Sequence, residues 1–392
     1  MRVIHTSDWH LGRSFGPVSL RGDHEAFCEW FVDLSAEQDA DLVVVAGDLY
    51  DRAIAPTESI ELFRETVQRL RARGITVAAI TGNHDGADRV APYDDLLDAG
   101  GVYIRGGYQG VGRVATLAFD DGPLDLVLVP FLDPQAAPDG FGGPATVACA
   151  DADLGERRRR RTHESVLADA LDRARANLVS PRSVVVSHAF VVGGESSESE
   201  RQLEVGGTGA VDRAVFDGFS YVALGHLHRP QAIGRETIRY SGTPLPYSFS
   251  EDHAKSVVVV DLDAAGNGTI EEIPVPIGRR VVTIRGELDE LLRSDLRPDA
   301  RACFVRAIVT NRETVLDAKA RLEQIYPYVV EVRLEPAGRS SDSFAHDAAP
   351  IERLEPIEVT RRFWEELEGG APDADTDELL LRSVAAAMEV TS

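Results

Sequence analysis

The chain has 392 residues, of which 43% are apolar and 27% charged, and it is predicted to be a globular protein of two or three domains. No apolar run approaches the roughly 20 residues that span a bilayer, which argues against a membrane protein, and no secretory signal is predicted. The formal net charge of −24 excludes a generally basic surface, so a polyanionic partner would need metal ions or another protein to supply positive charge. Three widely separated cysteines indicate neither a disulfide framework nor a thiolate zinc site, and the predicted location is the cytoplasm.

The first 81 residues alternate between apolar strands and amphipathic helices. Strands are predicted at residues 2–7, 42–46 and 75–81, and helices at residues 22–38 and 58–73. The run at 42–46 is continuously apolar and mostly β-branched, which is typical of a parallel strand buried on both faces. This alternation predicts an α/β sheet that helices cover on both sides.

Residues 101–275 are predicted to extend this fold by a second sheet. Strands are predicted within residues 101–130, at 183–186 and at 221–224, and a helix at 157–178. Three further segments, at 237–240, 256–262 and 269–275, have alternating apolar residues. We expect them to be antiparallel strands that complete the second sheet. Two segments are loops by composition, at 134–148 and at 193–209, and the second is expected to be mobile.

The pattern changes near residue 276. Residues 276–336 contain short strands and helices without a candidate ligand cluster, which predicts a small α+β capping or substrate-positioning domain. Residues 337–350 form a polar linker by composition. Two amphipathic helices follow at 357–367 and 378–388. Because such short helices cannot bury their apolar faces alone, we expect them to pack on the body of the protein or on a partner.

Five predicted strands are each followed by Asp, Asn or His. Because the carboxyl ends of neighbouring strands meet, we expect these residues at one edge of one sheet, where open α/β folds bind ligands. Asp8 and His10 are two residues apart on a segment expected to be extended, which would put both side chains on one side, and His226 and His228 repeat this spacing. The candidate metal ligands are Asp8, His10, Asp48, Asn83, His188, His226 and His228.

These residue types predict a catalytic divalent-metal site. Aspartate, asparagine and histidine without cysteine suit manganese, iron or zinc. Seven ligands exceed what one ion needs, whereas two ions that share a bridging carboxylate would use them all. Two such ions suit displacement at phosphorus, because they lower the pKa of a water molecule and stabilise charge on the phosphate oxygens. His84 is placed beside a ligand, where it could donate a proton to the leaving oxygen or stabilise charge in the transition state.

Several residues have a structural interpretation beside a functional one. Asp51 is either a cap or a supporting partner of a ligand, or a substrate contact, and residues 241–244 either form a turn or line the site. The five arginines at 157–161 are either a solvated helix face or a contact to a DNA backbone. The remaining histidines are interpreted as core or surface residues: His5, His24, His163, His253 and His346.

The motifs resemble those of the calcineurin-like metallophosphoesterase superfamily, and more narrowly those of the nuclease subunits of double-strand-break repair complexes. The resemblance covers about residues 1–275 and continues more loosely to the C-terminus. It is carried by HTSDWHLG at 5–12, AGDLYD at 46–51, GNHD at 82–85, SH at 187–188, ALGHLH at 223–228, YSGTP at 240–244 and SFSE at 248–251. It implies an α/β fold built as a two-sheet sandwich flanked by helices at 1–275, a small α+β capping domain at 276–336, and a linker with a helical partner-binding tail at 337–392.

The resemblance also implies a role for each site residue. Asp48 is expected to bridge two ions, one held also by Asp8, His10 and His228 and the other by Asn83, His188 and His226. His84 matches the catalytic histidine of the family, and Mn²⁺ is the ion that the family usually needs. The implied partners are DNA and a large coiled-coil ATPase, with the chain forming a homodimer within a heterotetramer.

The predicted function is therefore that of a manganese-dependent DNA exonuclease and endonuclease. One alternative is a stand-alone phosphodiesterase of the same superfamily that acts on small molecules or cyclic nucleotides. It accounts better for the acidity of the chain but leaves the capping domain and the tail without a role. A second alternative is a scaffold that tethers DNA ends around a structural metal site, and it leaves His84 without a role.

Overall fold

The computed structural model describes residues 1–92, 94–142, 161–200, 209–293, 297–313, 315–336, 356–368 and 370–390. The chain divides into two compact units, Met1–Leu334 and Glu335–Ser392. The predicted α/β class is confirmed, since the first unit contains two six-stranded sheets with flanking helices. The finer division into domains at residues 275 and 336 stays a prediction.

The elements are numbered in chain order. The strands are β1 (Arg2–Thr6), β2 (Ser14–Phe15), β3 (Val18–Ser19), β4 (Leu42–Ala46), β5 (Thr76–Ile80), β6 (Val102–Arg105), β7 (Val114–Phe119), β8 (Gly122–Val129), β9 (Ser183–His188), β10 (Phe190–Val191), β11 (Ala210–Val211), β12 (Tyr221–Gly225), β13 (Gln231–Ile233), β14 (Arg235–Tyr240), β15 (Ser256–Leu262), β16 (Gly268–Pro274), β17 (Val281–Gly286), β18 (Phe304–Val309) and β19 (Val329–Leu334). The helices are α1 (Arg21–Glu37), α2 (Thr57–Ala72), α3 (Ala87–Val90), α4 (Asp94–Asp98), α5 (His163–Arg175), α6 (Leu288–Leu291), α7 (Ala318–Glu323), α8 (Pro356–Glu368) and α9 (Ala374–Val390), with 3₁₀ turns at Arg213–Phe216 and Pro298–Ala302.

The first sheet has the strand order β16-β15-β1-β4-β5-β6. Strands β1, β4, β5 and β6 are parallel, whereas β15 is antiparallel to β1 and β16 is antiparallel to β15. Helices α1 and α2 connect the parallel strands, because two parallel neighbours cannot be joined by a tight turn. The strands and helices predicted over the first 81 residues are thereby confirmed, with ends that differ by one or two residues.

The second sheet has the strand order β13-β14-β12-β9-β8-β7. Its four central strands are parallel, and the edge strands β13 and β7 are antiparallel to their neighbours. The expectation that three antiparallel strands near residues 237–275 complete this sheet is wrong in two respects. Strand β14 pairs in parallel with β12, and β15 and β16 extend the first sheet instead. An alternating pattern identifies a strand without indicating which sheet edge it joins.

Side chains from β4 enter two different cores because successive residues of a strand point to opposite faces. Val43 packs on the helix side with Phe27 of α1, whereas Val44 faces the second sheet and shares a core with Val184. A third core lies on the outer face of the second sheet, where Leu171 of α5 is fully buried. The two sheets are therefore packed face to face with helices outside them.

Helix α5 begins later than the predicted residue 157. Thr162 is the N-cap residue of the helix. Its side chain accepts from the backbone N–H of Ser165 at 3.1 Å, and the Ser165 hydroxyl accepts from the backbone N–H of Thr162 at 2.9 Å. This reciprocal cap fixes the start of the helix at His163. Four of the five arginines at 157–161 lie outside the described residues, so their role stays open.

A third sheet, formed by β17, β18 and β19 in parallel, follows the sandwich. With α6 and α7 it has its own apolar core, in which Val305 and Leu322 are fully buried. A small aromatic cluster joins it to the sandwich, where Phe304 packs edge to face against Phe15 with ring centroids 4.8 Å apart. In the second unit, α8 and α9 are linked by an ion pair between Arg361 and Asp377 at 2.5 Å.

Other sequence predictions concern loops, cysteines and membrane spans. The loop at 134–148 has no helix or strand in its described part, 134–142, and the segment at 193–209 is irregular over 193–200, while 143–148, 201–208 and the linker at 337–350 lie outside the described residues. Cys28 and Cys303 are free and buried, and burial raises the pKa of the Cys28 thiol to about 12; Cys149 is not described. Within the described part of the chain, none of the helices combines the length and apolarity that crossing a bilayer requires.

A close approach of the two sheets at Gly225 gives a test of this packing. A Cβ atom on Gly225 of β12 would lie 1.8 Å from the carbonyl oxygen of Ala46 on β4, so we expect Gly225→Ala to lower the free energy of unfolding by about 3 kcal/mol, the upper range for overpacking. Denaturant unfolding monitored by circular dichroism measures this loss. The matched control is Gly22→Ala in α1, where a Cβ meets nothing within 4 Å and the change is expected to stabilise by about 0.5–1 kcal/mol. Equal stabilities of Gly225→Ala and wild type would contradict the packing.

Candidate metal centre

The predicted ligands follow the carboxyl ends of strands from both sheets. Asp8, Asp48 and Asn83 follow β1, β4 and β5 of the first sheet, whereas His188 ends β9 and His226 follows β12 of the second. The expectation of one edge of a single sheet is therefore wrong. The site lies where the edges of two facing sheets meet, and the sheets approach there because small residues such as Gly225 separate them.

Several site residues have backbone conformations that side chains seldom adopt. The φ angles are 53° at Asp8, 45° at His10, 48° at Asp48 and 107° at His226. The explanation of the Asp8–His10 spacing by an extended segment is therefore wrong. Such left-handed residues cost of order 1–3 kcal/mol each and persist where the surroundings fix them, often at functional sites.

Backbone hydrogen bonds hold the two strained loops against each other. The N–H of Asp8 donates to the carbonyl of Gly47 at 3.0 Å, and the N–H of His10 donates to the carbonyl of Asp48 at 2.9 Å. The loop after β1 is thereby paired with the loop after β4. This pairing sets the relative positions of the Asp8, His10 and Asp48 side chains.

Asp48 lies in the middle of the cluster. Its Oδ1 accepts from the backbone N–H of His84 at 2.8 Å, and its Oδ2 lies 3.7 Å from Nε2 of His10 and 3.5 Å from Nε2 of His188. A Cβ on Gly82 would lie 2.1 Å from Asp48 Oδ1, so the loop after β5 reaches the carboxylate only because residue 82 is glycine. One carboxylate oxygen is therefore held by the protein and the other faces the imidazoles.

In the contact between His188 and Asn83, two hydrogen-bond acceptor atoms face each other, Nε2 of His188 and Oδ1 of Asn83. The carbonyl of Ala46 can only accept, so Nδ1 of His188 donates to it across the sheets at 2.9 Å, and in the neutral ring Nε2 then carries a lone pair. This Nε2 lies 2.9 Å from Oδ1 of Asn83, and Nδ1 of His226 lies 3.2 Å from the same oxygen. Facing lone pairs repel unless a cation lies among them, so this arrangement fits a metal ion.

His10 provides a second indication that the site fits a metal ion. Its side chain is fully buried, yet among the described residues neither ring nitrogen has a hydrogen-bond partner. An unpaired buried polar group is costly, and metal coordination would satisfy it. The rings of His84 and His228 lie close to it, with centroids 4.7 Å and 5.3 Å from that of His10.

The charges of the site are also those of a metal centre. Burial, followed by the charge of Asp48, raises the pKa of Asp8 well above its usual value. Burial lowers the pKa of His10 and His226 well below the usual value, and neighbouring imidazoles add to this effect. Neutral imidazoles and carboxylates are the forms that bind metal ions, and a bound cation would relieve the repulsion between the two carboxylates.

The structure thus brings all the predicted site residues together. Within the part of the chain that the structure describes, ligand atoms of His and Asp within 4.8 Å of one another occur in three overlapping groups. The groups are Asp8, His10 and His228; His10, Asp48 and His84; and Asp8, Asp48 and His188. Asn83 and His226 join them through the contacts to His188 described above.

The histidines interpreted as structural have other contacts. His5 bonds with the hydroxyl of Tyr221 at 2.9 Å, and Nε2 of His24 bonds with the hydroxyl of Tyr247 at 3.2 Å. His163 packs its ring 5.4 Å from that of Phe131, and Nε2 of His253 donates to the carbonyl of His228 at 3.3 Å. His346 lies outside the described residues.

Two aspartates beside the ligands support the loops. Asp85 accepts from the backbone N–H groups of Gly82, Leu49 and Tyr50 at 2.9–3.0 Å, and so joins the loops after β4 and β5. Burial and the nearby Asp48 raise its pKa to about 7. Asp51, for which a supporting and a substrate-contacting role were both open, lies with Oδ1 3.9 Å from Nδ1 of His10, and its carbonyl accepts from Nδ1 of His84 at 3.0 Å. These contacts favour the supporting role.

Sequence reasoning missed residues that reach the site from the segments at 199–200 and 247–251. Tyr247 places its ring 5.2 Å from that of His10 and 5.8 Å from that of His228, and its hydroxyl donates to the carbonyl of Trp9 at 2.5 Å. Glu251 lies 3.2 Å from Nδ1 of His228. No local pattern indicated these contacts, although Glu251 belongs to the quoted SFSE segment.

Two protein-family models match successive parts of the chain. A family model described as calcineurin-like phosphoesterase matches residues 1–230. A second model, SbcD_C, described as type 5 capsule protein repressor C-terminal domain, matches residues 278–368. Together the two matches cover most of the chain, and the first contains every predicted site residue.

Individual proteins are also similar. The SbcD component of the nuclease SbcCD from Staphylococcus epidermidis is 29% identical over 335 residues, which are 84% of this chain and 84% of that protein. A solved structure, described as the crystal structure of TT1561 of Thermus thermophilus, is 13% identical and covers 69% of this chain and 98% of that chain, with a TM-score of 0.37. That structural likeness is too weak to carry an argument.

Metal binding is expected to stabilise the fold. Because an ion that binds only the native state shifts unfolding, Mn²⁺ at about 100 times its Kd should stabilise the wild type by about 2.7 kcal/mol relative to chelator, which thermal unfolding measures. Asp48→Asn is expected to lose most of this shift. Asp289→Asn removes an equally charged carboxylate whose side chain is 90% exposed, and it should keep the full shift. An undiminished Mn²⁺ shift in Asp48→Asn would contradict the assignment.

Proposed function

We propose that this chain, which belongs to the calcineurin-like phosphoesterase family and is a metal-dependent phosphodiesterase of the SbcD type, is the nuclease subunit of an SbcCD-type double-strand-break repair complex. Its proposed activity is Mn²⁺-dependent exonuclease and endonuclease cleavage of DNA. The observation that carries the proposal is the convergence of aspartates and neutral imidazoles at the meeting edges of the two sheets, in a chain similar to a nuclease over 84% of its length.

The proposed ligand sets follow the resemblance of the motifs. Asp8, His10, Asp48 and His228 would hold one ion, and Asp48, Asn83, His188 and His226 the other. When bound, two Mn²⁺ ions would supply Lewis acidity toward the phosphate oxygens and lower the pKa of water at the site. The protein contributes loops fixed by the Asp48 and Asp85 hydrogen bonds, so the ligands need little rearrangement.

His84 is the proposed proton donor to the leaving 3′ oxygen. The carbonyl of Asp51 accepts from its Nδ1 at 3.0 Å, so a second proton on the ring is carried by Nε2. The ring is only partly buried and lies 4.7 Å from that of His10 between centroids, so it borders the ligand cluster. A histidine in this position can transfer a proton without leaving its hydrogen bond to the main chain.

The proposed partners are DNA and an SbcC-like coiled-coil ATPase. The chain carries a net charge of −24, so a partner that supplies basic surface would hold the duplex while the metal centre binds the scissile phosphate. The second unit offers a surface for such a partner, because Phe363 of α8 and Leu379 of α9 are each 61% exposed. Exposed apolar side chains on paired helices are typical of a docking surface.

We also propose a homodimer that forms through an apolar groove beside α2. The groove has a volume of about 1160 Å³, and its lining includes Ile54, Ile60, Val67 and Leu97. Ile54 is 71% exposed and Ile60 47% exposed. A second copy of the chain is the proposed occupant, since the same groove on each copy can be self-complementary about a two-fold axis.

One observation favours a different function. The acidity of the chain suits a small substrate better than a polyanion, which favours a stand-alone phosphodiesterase acting on small molecules or cyclic nucleotides. That function would use the same metal centre but would leave the apolar surface of α8 and α9 without a role. A DNA-end tethering scaffold is disfavoured because a structural metal site would leave His84 without a role.

Cleavage of an end-labelled linear duplex in Mn²⁺, with and without the ATPase partner, tests the nuclease activity. We expect the wild type to degrade the DNA and Asp48→Asn to be inactive, since it alters the proposed bridging carboxylate. His84→Ala should lose about 10²–10⁴-fold in rate, the contribution of a general acid. The imidazole-matched control, His163→Ala on α5, should remain active.

A small phosphodiester such as bis(p-nitrophenyl) phosphate separates the alternatives. Hydrolysis of this substrate without DNA cleavage, even with the ATPase present, would reject the nuclease and favour the stand-alone phosphodiesterase. DNA binding and bridging at full strength with no hydrolysis of either substrate would favour the scaffold.

Dimer formation through the groove is tested by Ile60→Glu. A charge in a buried apolar interface is strongly unfavourable, so the variant is expected to sediment as a monomer at concentrations where the wild type is a dimer. Val179→Glu introduces the same charge at a site that is 76% exposed and outside the groove, and it should remain dimeric. A dimer that survives Ile60→Glu would place the interface elsewhere.

A further inference from the structure

Glu251 is a buried carboxylate beside the metal centre that the proposed mechanism does not use. Glu251 is 1% exposed and lies between β14 and β15, in the segment that follows the second sheet. Its two oxygens have different neighbours. Oε2 is bonded to Lys255 Nζ at 2.5 Å and to Thr243 Oγ1 at 2.9 Å, whereas Oε1 is bonded to Ser199 Oγ at 2.5 Å, to Tyr247 N at 3.2 Å and to His228 Nδ1 at 3.2 Å.

The division between the two oxygens suggests two tasks. Oε2 anchors the carboxylate to Lys255, one of only two lysines in the chain and itself only 8% exposed. Oε1 remains directed at the ring of His228. A buried ion pair is weak evidence for stability, because an apolar pair of similar volume often stabilises equally well. A role toward His228 accounts for the charged pair where stability does not.

The hydrogen bonds around His228 fix the position of its ring proton. The carboxylate can only accept, so the hydroxyl of Ser199 donates to Glu251 Oε1. That hydroxyl has no second proton to give, so at its 2.7 Å contact with His228 it accepts from Nδ1. With the proton on Nδ1, the neutral ring presents the lone pair of Nε2 as a metal ligand.

The main chain of His228 is fixed as well. Its N–H donates to Oε1 of Glu200 at 2.7 Å, and its carbonyl accepts from the N–H of Thr243 at 3.2 Å. The ring packs against those of His10 and Tyr247, with centroids 5.3 Å and 5.8 Å away. The main-chain hydrogen bonds therefore fix the position of His228, and the neighbouring rings restrict the plane of its imidazole. Glu251 acts on the remaining choice, which is the ring nitrogen that carries the proton and the one that faces the metal centre.

We propose that Glu251, anchored by Lys255, is a positioning residue that holds His228 with its proton on Nδ1 and its Nε2 toward the metal ion, with Ser199 as a second acceptor for that proton. The inference rests on the metal centre of the proposed function and deepens it. Carboxylates that orient a ligating histidine typically contribute 10–100-fold to metal affinity, and this range is the expected contribution of Glu251.

Calorimetric titration of the full-length, metal-free chain with Mn²⁺ tests the proposal. Glu251→Gln is expected to bind Mn²⁺ 10–100-fold more weakly than the wild type. The control Glu236→Gln changes a carboxylate whose side chain is 78% exposed and should leave the affinity unchanged. Wild-type affinity in Glu251→Gln, or a wild type that binds no Mn²⁺, would overturn the proposal.

A second variant separates positioning from simple neutralisation of Lys255. Glu251→Gln leaves the buried ammonium without its carboxylate, whereas Glu251→Gln/Lys255→Met removes both charges. If Glu251 only neutralises Lys255, the double variant recovers wild-type Mn²⁺ affinity and the proposal fails. If Glu251 orients His228, the double variant recovers stability in chelator, measured by thermal unfolding, while its Mn²⁺ affinity stays low.

A double-mutant cycle with His228→Ala identifies the residue through which Glu251 acts. In that background Glu251→Gln is expected to weaken Mn²⁺ binding no further, because the ring it positions is absent. A full additional loss would overturn the proposal. If Glu251→Gln does not fold, Glu251→Asp replaces it in the cycle, since it keeps a charge for Lys255 and withdraws from His228.

The readout also separates this proposal from the nuclease assignment. Mn²⁺ affinity is measured without any phosphodiester, so a chain that fails to cleave DNA but shows the expected cycle retains the role of Glu251. Conversely, DNA cleavage by a Glu251→Gln chain with wild-type Mn²⁺ affinity would reject the positioning role and leave the nuclease intact.

Discussion

Burial of two carboxylates beside each other is the constraint on which the rest of this structure depends. Asp8 and Asp48 lie with almost no exposure, and burial followed by the charge of Asp48 raises the pKa of Asp8 well above its usual value. In water-free surroundings such a pair is tolerated only when positive charge or hydrogen bonds compensate it. The protein supplies N–H donors from His84 and His226 and surrounds the pair with neutral imidazoles. A divalent cation would complete the compensation, and the architecture provides the ligands for it.

The strained backbone conformations at the site accompany this burial of carboxylates. Left-handed conformations at Asp8, His10 and Asp48 turn each chain sharply at the end of its strand, so that the side chains point into a gap between two sheets. Hydrogen bonds between the loops, and the close contact of Gly225 with Ala46, hold these conformations in place. Local stability is given up at the site and supplied by the apolar cores on either side of it, as is common where geometry serves chemistry.

The sequence allowed the strand-end motifs, their residues and the α/β class to be predicted, because buried strands and metal-binding side chains leave local patterns. It did not reveal that the motifs come from two sheets, since a strand pattern carries no information about the neighbouring strands. The pairing of β15 with β1 was not predicted for the same reason. The left-handed turn at His10 also leaves no periodic signal. Glu251 was missed as a partner of His228 because its contacts join residues 23 and 52 positions apart and arise only in the folded chain.

The order of the ligands along the chain has a consequence for the biosynthesis of the protein. The first proposed ligand is residue 8 and the last is residue 228, and they follow strands of different sheets. A growing polypeptide on the ribosome therefore holds an incomplete ligand set until β12 has emerged and paired with β9. A nascent chain, or a fragment truncated before residue 228, would therefore lack the last of the proposed ligands, and the metal centre would form only when both sheets are present.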